Sequence, residues 1–121
     1  MKYLLDSNII IYHLNGQSTA TDFIAENNVR CAISQITFVE VLSFDYTEEE
    51  ISQVRELLDQ FTVLDTNKAV AIQCLKNRKI KKIKIPDNFI ASTAQVNDLI
   101  LVTRNVEDFK QLDVQLLNIF D

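Results

Sequence analysis

Four carboxylates stand out by their surroundings. Asp6 interrupts an apolar run, with Tyr3-Leu4-Leu5 before it and Ile9-Ile10-Ile11 after it. Glu40 is embedded in Ile36-Thr37-Phe38-Val39-Glu40-Val41-Leu42, where an unpaired carboxylate is costly and tends to protonate. Asp87 follows the only proline and heads the small-residue stretch Asn88–Ala94, and Asp108 comes soon after the apolar run Leu99–Val102. Gathered in one cleft, such groups repel unless a cation holds them. Oxygen ligands without His or Cys select magnesium or manganese. One such ion, or a pair, polarises a phosphodiester and generates hydroxide from water near neutral pH. That chemistry cleaves RNA or DNA. Plainer readings stand beside it: an N-cap or turn residue for Asp6, pairing with a buried Arg for Glu40, and a helix-dipole partner for Asp87.

The remaining residues narrow the chemistry. His13 is the only histidine, which excludes a histidine-based acid–base pair. Cys31 and Cys74 lie in apolar segments without Cys or His at metal spacing, as buried reduced thiols do. A single glycine excludes a Gly-rich phosphate loop. The net charge of −5 argues against non-specific coating of nucleic acid. Yet Lys76, Arg78, Lys79, Lys81, Lys82 and Lys84 crowd six of the twelve basic residues just upstream of Asp87. They read as a solvated helix end, as a surface for an acidic partner, or as a means of steering phosphate toward the acids. Phe44 and Tyr46 read either as packing or as the wall of a partner groove.

The elements that must position these groups follow from the apolar pattern. With 47% hydrophobic and 24% charged residues, the chain is neither disordered nor membranous, and 121 residues suit one domain, 1–121. The start, interrupted by Asp6, is not expected to be a signal peptide. Strands are predicted at 3–5, 30–33, 62–64 and 99–103, with an edge strand within 114–117. Ser7 and Asn8 suit a helix start, and Gly16 its end. Helices are expected at 19–28, after Ser34, from Thr47, from Asn67 to about Lys79, and from Asp87. Thr47 and Glu50 form a capping box, and Glu48 and Glu49 complement the helix dipole. Ile51, Val54, Leu57, Leu58 and Phe61 are the expected buried stripe of that helix, and Val70, Ala71, Cys74 and Leu75 that of the next. Alternating strands and helices predict a three-layer α/β/α domain around a mainly parallel sheet. Asp6, Glu40 and Asp108 then come from the sheet's carboxyl edge, and Asp87 joins them if its helix starts on that side.

The chain resembles the PIN domain family, and within it the short VapC-type toxin ribonucleases of toxin–antitoxin pairs. The resemblance is carried by Leu5-Asp6-Ser7-Asn8, by Ser34-Gln35-Ile36-Thr37-Phe38-Val39-Glu40-Val41, by Asp87-Asn88-Phe89-Ile90-Ala91-Ser92-Thr93-Ala94 and by Thr103-Arg104-Asn105-Val106-Glu107-Asp108-Phe109. It implies a cytoplasmic endoribonuclease using Mg2+ or Mn2+, with Asp6, Glu40 and Asp87 as metal-binding acids and Asp108 as the fourth. Ser7, Thr103 and Asn105 match positions that hold or orient those acids. Some members carry an acid where this chain has Asn105. Asp108 is preferred over its neighbour Glu107, because adjacent helical residues face different directions. The resemblance further implies an RNA substrate, a homodimer, and an antitoxin that blocks the cleft and supplies the only link to DNA.

Two other classes fit the residues less well. A phosphoacceptor receiver domain needs a second acid beside the first and a lysine after the last core strand; here stand Leu4-Leu5 and Thr103-Arg104-Asn105. A catalytically inert PIN-like binding module is opposed by the retention of all four acids.

Overall fold

The computed structural model describes residues 1–121. Five short strands, β1 (Tyr3–Leu5), β2 (Cys31–Ser34), β3 (Thr62–Leu64), β4 (Ile100–Val102) and β5 (Leu116–Leu117), form one sheet in the order β3-β2-β1-β4-β5. Every pairing is parallel, with Tyr3 beside both Cys31 and Ile100. Side chains alternate across a sheet, and here they feed two cores. Leu5, Cys31, Ile33 and Val102 pack with Ile9, Ile10, Ala20, Ile24, Val41, Val54 and Leu58. Leu4, Ala32 and Leu101 turn the other way, onto Ile90, Ala91, Ala94 and Phe109. The sheet is therefore covered on both faces, as a parallel sheet requires.

Seven helices make the covering layers: α1 (Ser7–Leu14), α2 (Ser18–Asn27), α3 (Gln35–Leu42), α4 (Glu48–Leu58), α5 (Lys68–Ile80), α6 (Ile85–Val96) and α7 (Val106–Phe109). Their starts are chemically marked. Ser34 Oγ accepts from Thr37 N, Asn67 Oδ1 from Val70 N, and Thr47 and Glu50 cap each other reciprocally. Each such cap is worth about 1 kcal/mol. Gly16, just past α1, takes φ +81°, which side chains disfavour.

The structure moves some expected boundaries and faces. The helix bearing Asp87 begins at Ile85, with Pro86 in its first turn, where a missing N–H costs nothing. Phe61 is buried but lies beyond the end of α4, and Ile51 is exposed. On α5 the inward face is Val70, Cys74 and Asn77, whereas Ala71 and Leu75 face out. The reason is that α5 packs on α6 through a polar contact. Asn77 Nδ2 lies 3.0 Å from Asn88 Oδ1, 3.0 Å from Ser92 Oγ and 2.8 Å from Gln95 Oε1. This rotates the helix away from its apolar pattern.

Because α6 leads back into β4 of the parallel sheet, it runs against the strands and starts at their carboxyl edge. The strand order reverses direction between β1 and β4. That reversal is where open α/β sheets leave a crevice for ligands.

Candidate active site

Asp6 sits at this crevice, immediately after β1, and is only 5% exposed. It is also the N-cap of α1: Ser7 N–H donates to Asp6 Oδ1 at 2.7 Å. Across the crevice, Thr103 Oγ1 donates to Asp6 Oδ2 at 2.7 Å. Thr103 in turn accepts from Asn105 N–H at 3.0 Å. These donors favour the charged carboxylate, but burial outweighs them. The pKa of Asp6 is pushed up to about 6 by desolvation, with further repulsion from Asp87 and Glu40.

Glu40 projects from the second turn of α3. Its Oε1 accepts a 2.6 Å hydrogen bond from Ser7 Oγ, which also lies 3.0 Å from Thr37 Oγ1. Ser34 Oγ stands 3.3 Å from the same threonine oxygen. A hydroxyl chain thus ties α1, the end of β2 and α3 together beneath the acid. No arginine pairs with Glu40; the chain's one salt bridge joins Lys110 and Glu107 at 2.7 Å.

Asp87, half-buried in the first turn of α6, is raised above the usual carboxylate range by desolvation, then by Glu40 and Asp108, with Lys84 opposing. It shares a cavity of about 200 Å3 with Asp108, Lys81, Lys82, Ile83 and Lys84. Glu107 does not line that cavity and is engaged with Lys110. Asp108 is exposed on α7, whose last carbonyls are held by Lys81: Nζ donates to Asp108 O at 2.8 Å and to Glu107 O at 3.3 Å.

All four predicted acids therefore stand at one sheet edge, where Asp87 and Glu40 repel Asp6, and Glu40 and Asp108 repel Asp87. They do not form a closed cage, since no three His, Cys, Asp or Glu side chains stand together at ligand spacing. Like charges separate in this way, and Glu40 is drawn toward Ser7. The donor chemistry nevertheless fits a hard divalent cation. The ionised ligands on offer are all carboxylates, since His13 is bonded to Thr21 (2.8 Å) and both cysteines are buried in the fold. One buried side-chain oxygen without a partner, Asn8 Oδ1, belongs to the same first turn of α1.

Of the predicted supporting residues, Ser7 and Thr103 bond acids directly, whereas Asn105 reaches the site only through its backbone N–H. Sequence reasoning missed the role of Thr37, and it named Lys81 only among the basic residues beside Asp87, not as a clamp on the carbonyls of α7. The signal for Thr37 was a hydroxyl one helical turn before Glu40, on the same face.

A PIN domain family model matches residues 3–115. Ribonuclease VapC10 of Mycobacterium tuberculosis is 32% identical over 91% of this chain and 87% of its own. Ribonuclease VapC2 of Haemophilus influenzae is 28% identical over 93% and 92%. A chain of a toxin–antitoxin complex from Klebsiella pneumoniae superposes with a TM-score of 0.87 at 28% identity, covering 99% of both chains. The chain belongs to the PIN domain family, in its VapC branch.

Proposed function

We propose that this protein is a divalent-metal-dependent endoribonuclease, the toxin of a toxin–antitoxin pair, in which Asp6, Glu40, Asp87 and Asp108 hold Mg2+ or Mn2+. The observation that carries the reading is the convergence of buried Asp6 and half-buried Asp87 at one sheet edge, with Glu40 close to both. Both are carboxylates whose ionisation burial and their neighbours oppose. Such an arrangement weakens a fold unless a cation offsets it. The names of the VapC relatives point the same way.

When bound, the cation supplies Lewis-acid polarisation of the phosphoryl group and a water that ionises near neutral pH. The chain's own part is orientation. Thr103 and the Ser7 amide fix both oxygens of Asp6, and the Ser7 hydroxyl fixes Glu40. No imidazole is placed to shuttle protons, because His13 is held by Thr21.

A second and larger cavity, about 510 Å3, lies away from the acids between α1 and α4. Its apolar wall includes Ile11, Leu14, Phe44, Tyr46, Val54 and Leu57. It supports an antitoxin as partner, with contact to DNA only through that protein. Outward-facing Ile72 and Leu75 on α5 support a homodimer. No helix is long and apolar enough to cross a membrane, and the proposed site of action is the cytoplasm.

The test is cleavage of pooled cellular RNA by purified protein with manganese, with chelator, and with Asp6→Asn. Defined fragments that vanish in the chelated and mutant lanes are expected. No cleavage of RNA or DNA by folded, metal-loaded protein would leave an inert binding module.

A further inference from the structure

The six clustered basic residues divide into those the fold uses and those it does not. Arg78 donates to Ile83 O at 3.1 Å, and Lys81 holds the carbonyls of α7. These two build the loop between α5 and α6. Lys76 and Lys79 line no part of the cavity beside Asp87 and Asp108. Lys82 and Lys84 do line it and are exposed, and their side chains make no hydrogen bond or ion pair within the chain.

Their place is electrostatically unfavourable for stability alone. Lys84 is the N-cap of α6 and makes no capping bond, where Ser, Thr, Asp or Asn would supply one. Cations are disfavoured at a helix N-terminus, whose dipole end is already positive. Asp87 and Asp108 line the same cavity, but under the nuclease reading both acids are engaged by the cation, which leaves the two lysines uncompensated. An anionic ligand lying across the cavity accounts for both.

From this placement, and resting on the nuclease reading of the neighbouring acids, we infer that Lys82 and Lys84 form a subsite for the sugar–phosphate backbone of RNA. The subsite engages phosphates flanking the one that is cut. Lysine suits this role as a mobile point charge that reads no base. Binding there is independent of sequence and sensitive to salt.

The experiment measures binding without cleavage. A short fluorescein-labelled single-stranded RNA of mixed sequence is titrated in chelator, and anisotropy is followed across a salt series. Wild type is compared with Lys82→Gln/Lys84→Gln and with Lys2→Gln/Arg30→Gln, which removes equal charge at the amino edge of the sheet. Thermal melting confirms that each variant is folded. Each lost phosphate contact flattens the slope of log affinity against log salt by about 0.7 on a single strand. The Lys82/Lys84 pair is therefore expected to flatten it by about 1.4, and the Lys2/Arg30 pair to leave it unchanged. Equal flattening by both pairs, or by neither, overturns the subsite. A parallel titration with labelled polyglutamate covers an acidic protein partner; loss of that binding with RNA binding intact also overturns it. Manganese-dependent cleavage by wild type alongside equal slopes sinks the subsite alone. A slope difference without any cleavage sinks the nuclease reading and leaves the backbone contact standing.

Discussion

Thr103 and Asp6, 97 residues apart in sequence, are joined by a 2.7 Å hydrogen bond that closes the crevice between β1 and β4. The hydroxyl is the only side-chain donor to Asp6, and it opposes the rise in that group's pKa. Thr103→Val keeps the shape, removes the donor and leaves Asn105 N–H without its acceptor. Groups that orient metal ligands typically contribute 10–100-fold to affinity. Manganese affinity, measured by calorimetry, is expected to fall about that much, and Thr103→Ser to restore most of it. An unchanged affinity in Thr103→Val would remove Asp6 from the metal-binding set.

The elevated pKa of Asp6 makes metal-free stability depend on pH. Below its ordinary value of 3.8 the group is protonated in both folded and unfolded chains and contributes no difference. As pH rises, the unfolded chain ionises first, while the folded chain ionises only near pH 6. Folding stability attributable to Asp6 is therefore lost between about pH 4 and 6. The gap between about 6 and 3.8 corresponds to about 3 kcal/mol. Asp87, shifted in the same direction, adds to it. Urea denaturation in chelator should show the fall, Asp6→Asn should remove much of it, and manganese should reverse it above pH 6 by binding only the folded, ionised acids.

The polar contact between α5 and α6 sets where Asp87 stands. Asn88, next in sequence, donates from Nδ2 to Cys74 O at 3.0 Å and receives Asn77 at its Oδ1. Asn77→Leu preserves volume but strips the bonds to Asn88, Ser92 and Gln95. Ser92 Oγ still donates to Asn88 Oδ1, so the cost is that of the lost buried hydrogen bonds, about 1–3 kcal/mol. Urea midpoints should fall accordingly with the m-value unchanged, and manganese affinity should weaken as the first turn of α6 loosens.

That contact also marks where the sequence stops being informative. The strands are legible because Leu4-Leu5, Ala32-Ile33 and Leu101-Val102 are apolar on both faces, and helix starts because Ser34, Thr47 and Asn67 are capping residues. Asp6 and Glu40 could be placed at the carboxyl edge from strand order alone. Asp87 could not, because its side depends on the direction of α6. Nothing local in Gln73-Cys74-Leu75-Lys76-Asn77 reveals that the inward side chain is Asn77, whose partners lie 11 to 18 residues downstream. Likewise the six basic residues look alike until Arg78 and Lys81 are seen holding carbonyls.

The displaced apolar face of α5 has a consequence of its own. Leu75, which the helical pattern placed inside, is 66% exposed, and Ile72 is 44% exposed. Three residues apart, they share the outward face of the helix. Exposing such side chains forgoes about 1.5–3 kcal/mol each relative to full burial, a loss that a second copy of the chain would remove by covering them. A symmetric dimer would present the same two residues from both subunits to one contact. Sedimentation of the wild-type protein is therefore expected to show a dimer, and Ile72→Glu/Leu75→Glu a folded monomer. Because both positions already face solvent, the charges leave the α5–α6 contact intact, so a monomer that melts as wild type assigns the interface. A dimer surviving both charges would place it elsewhere on the chain.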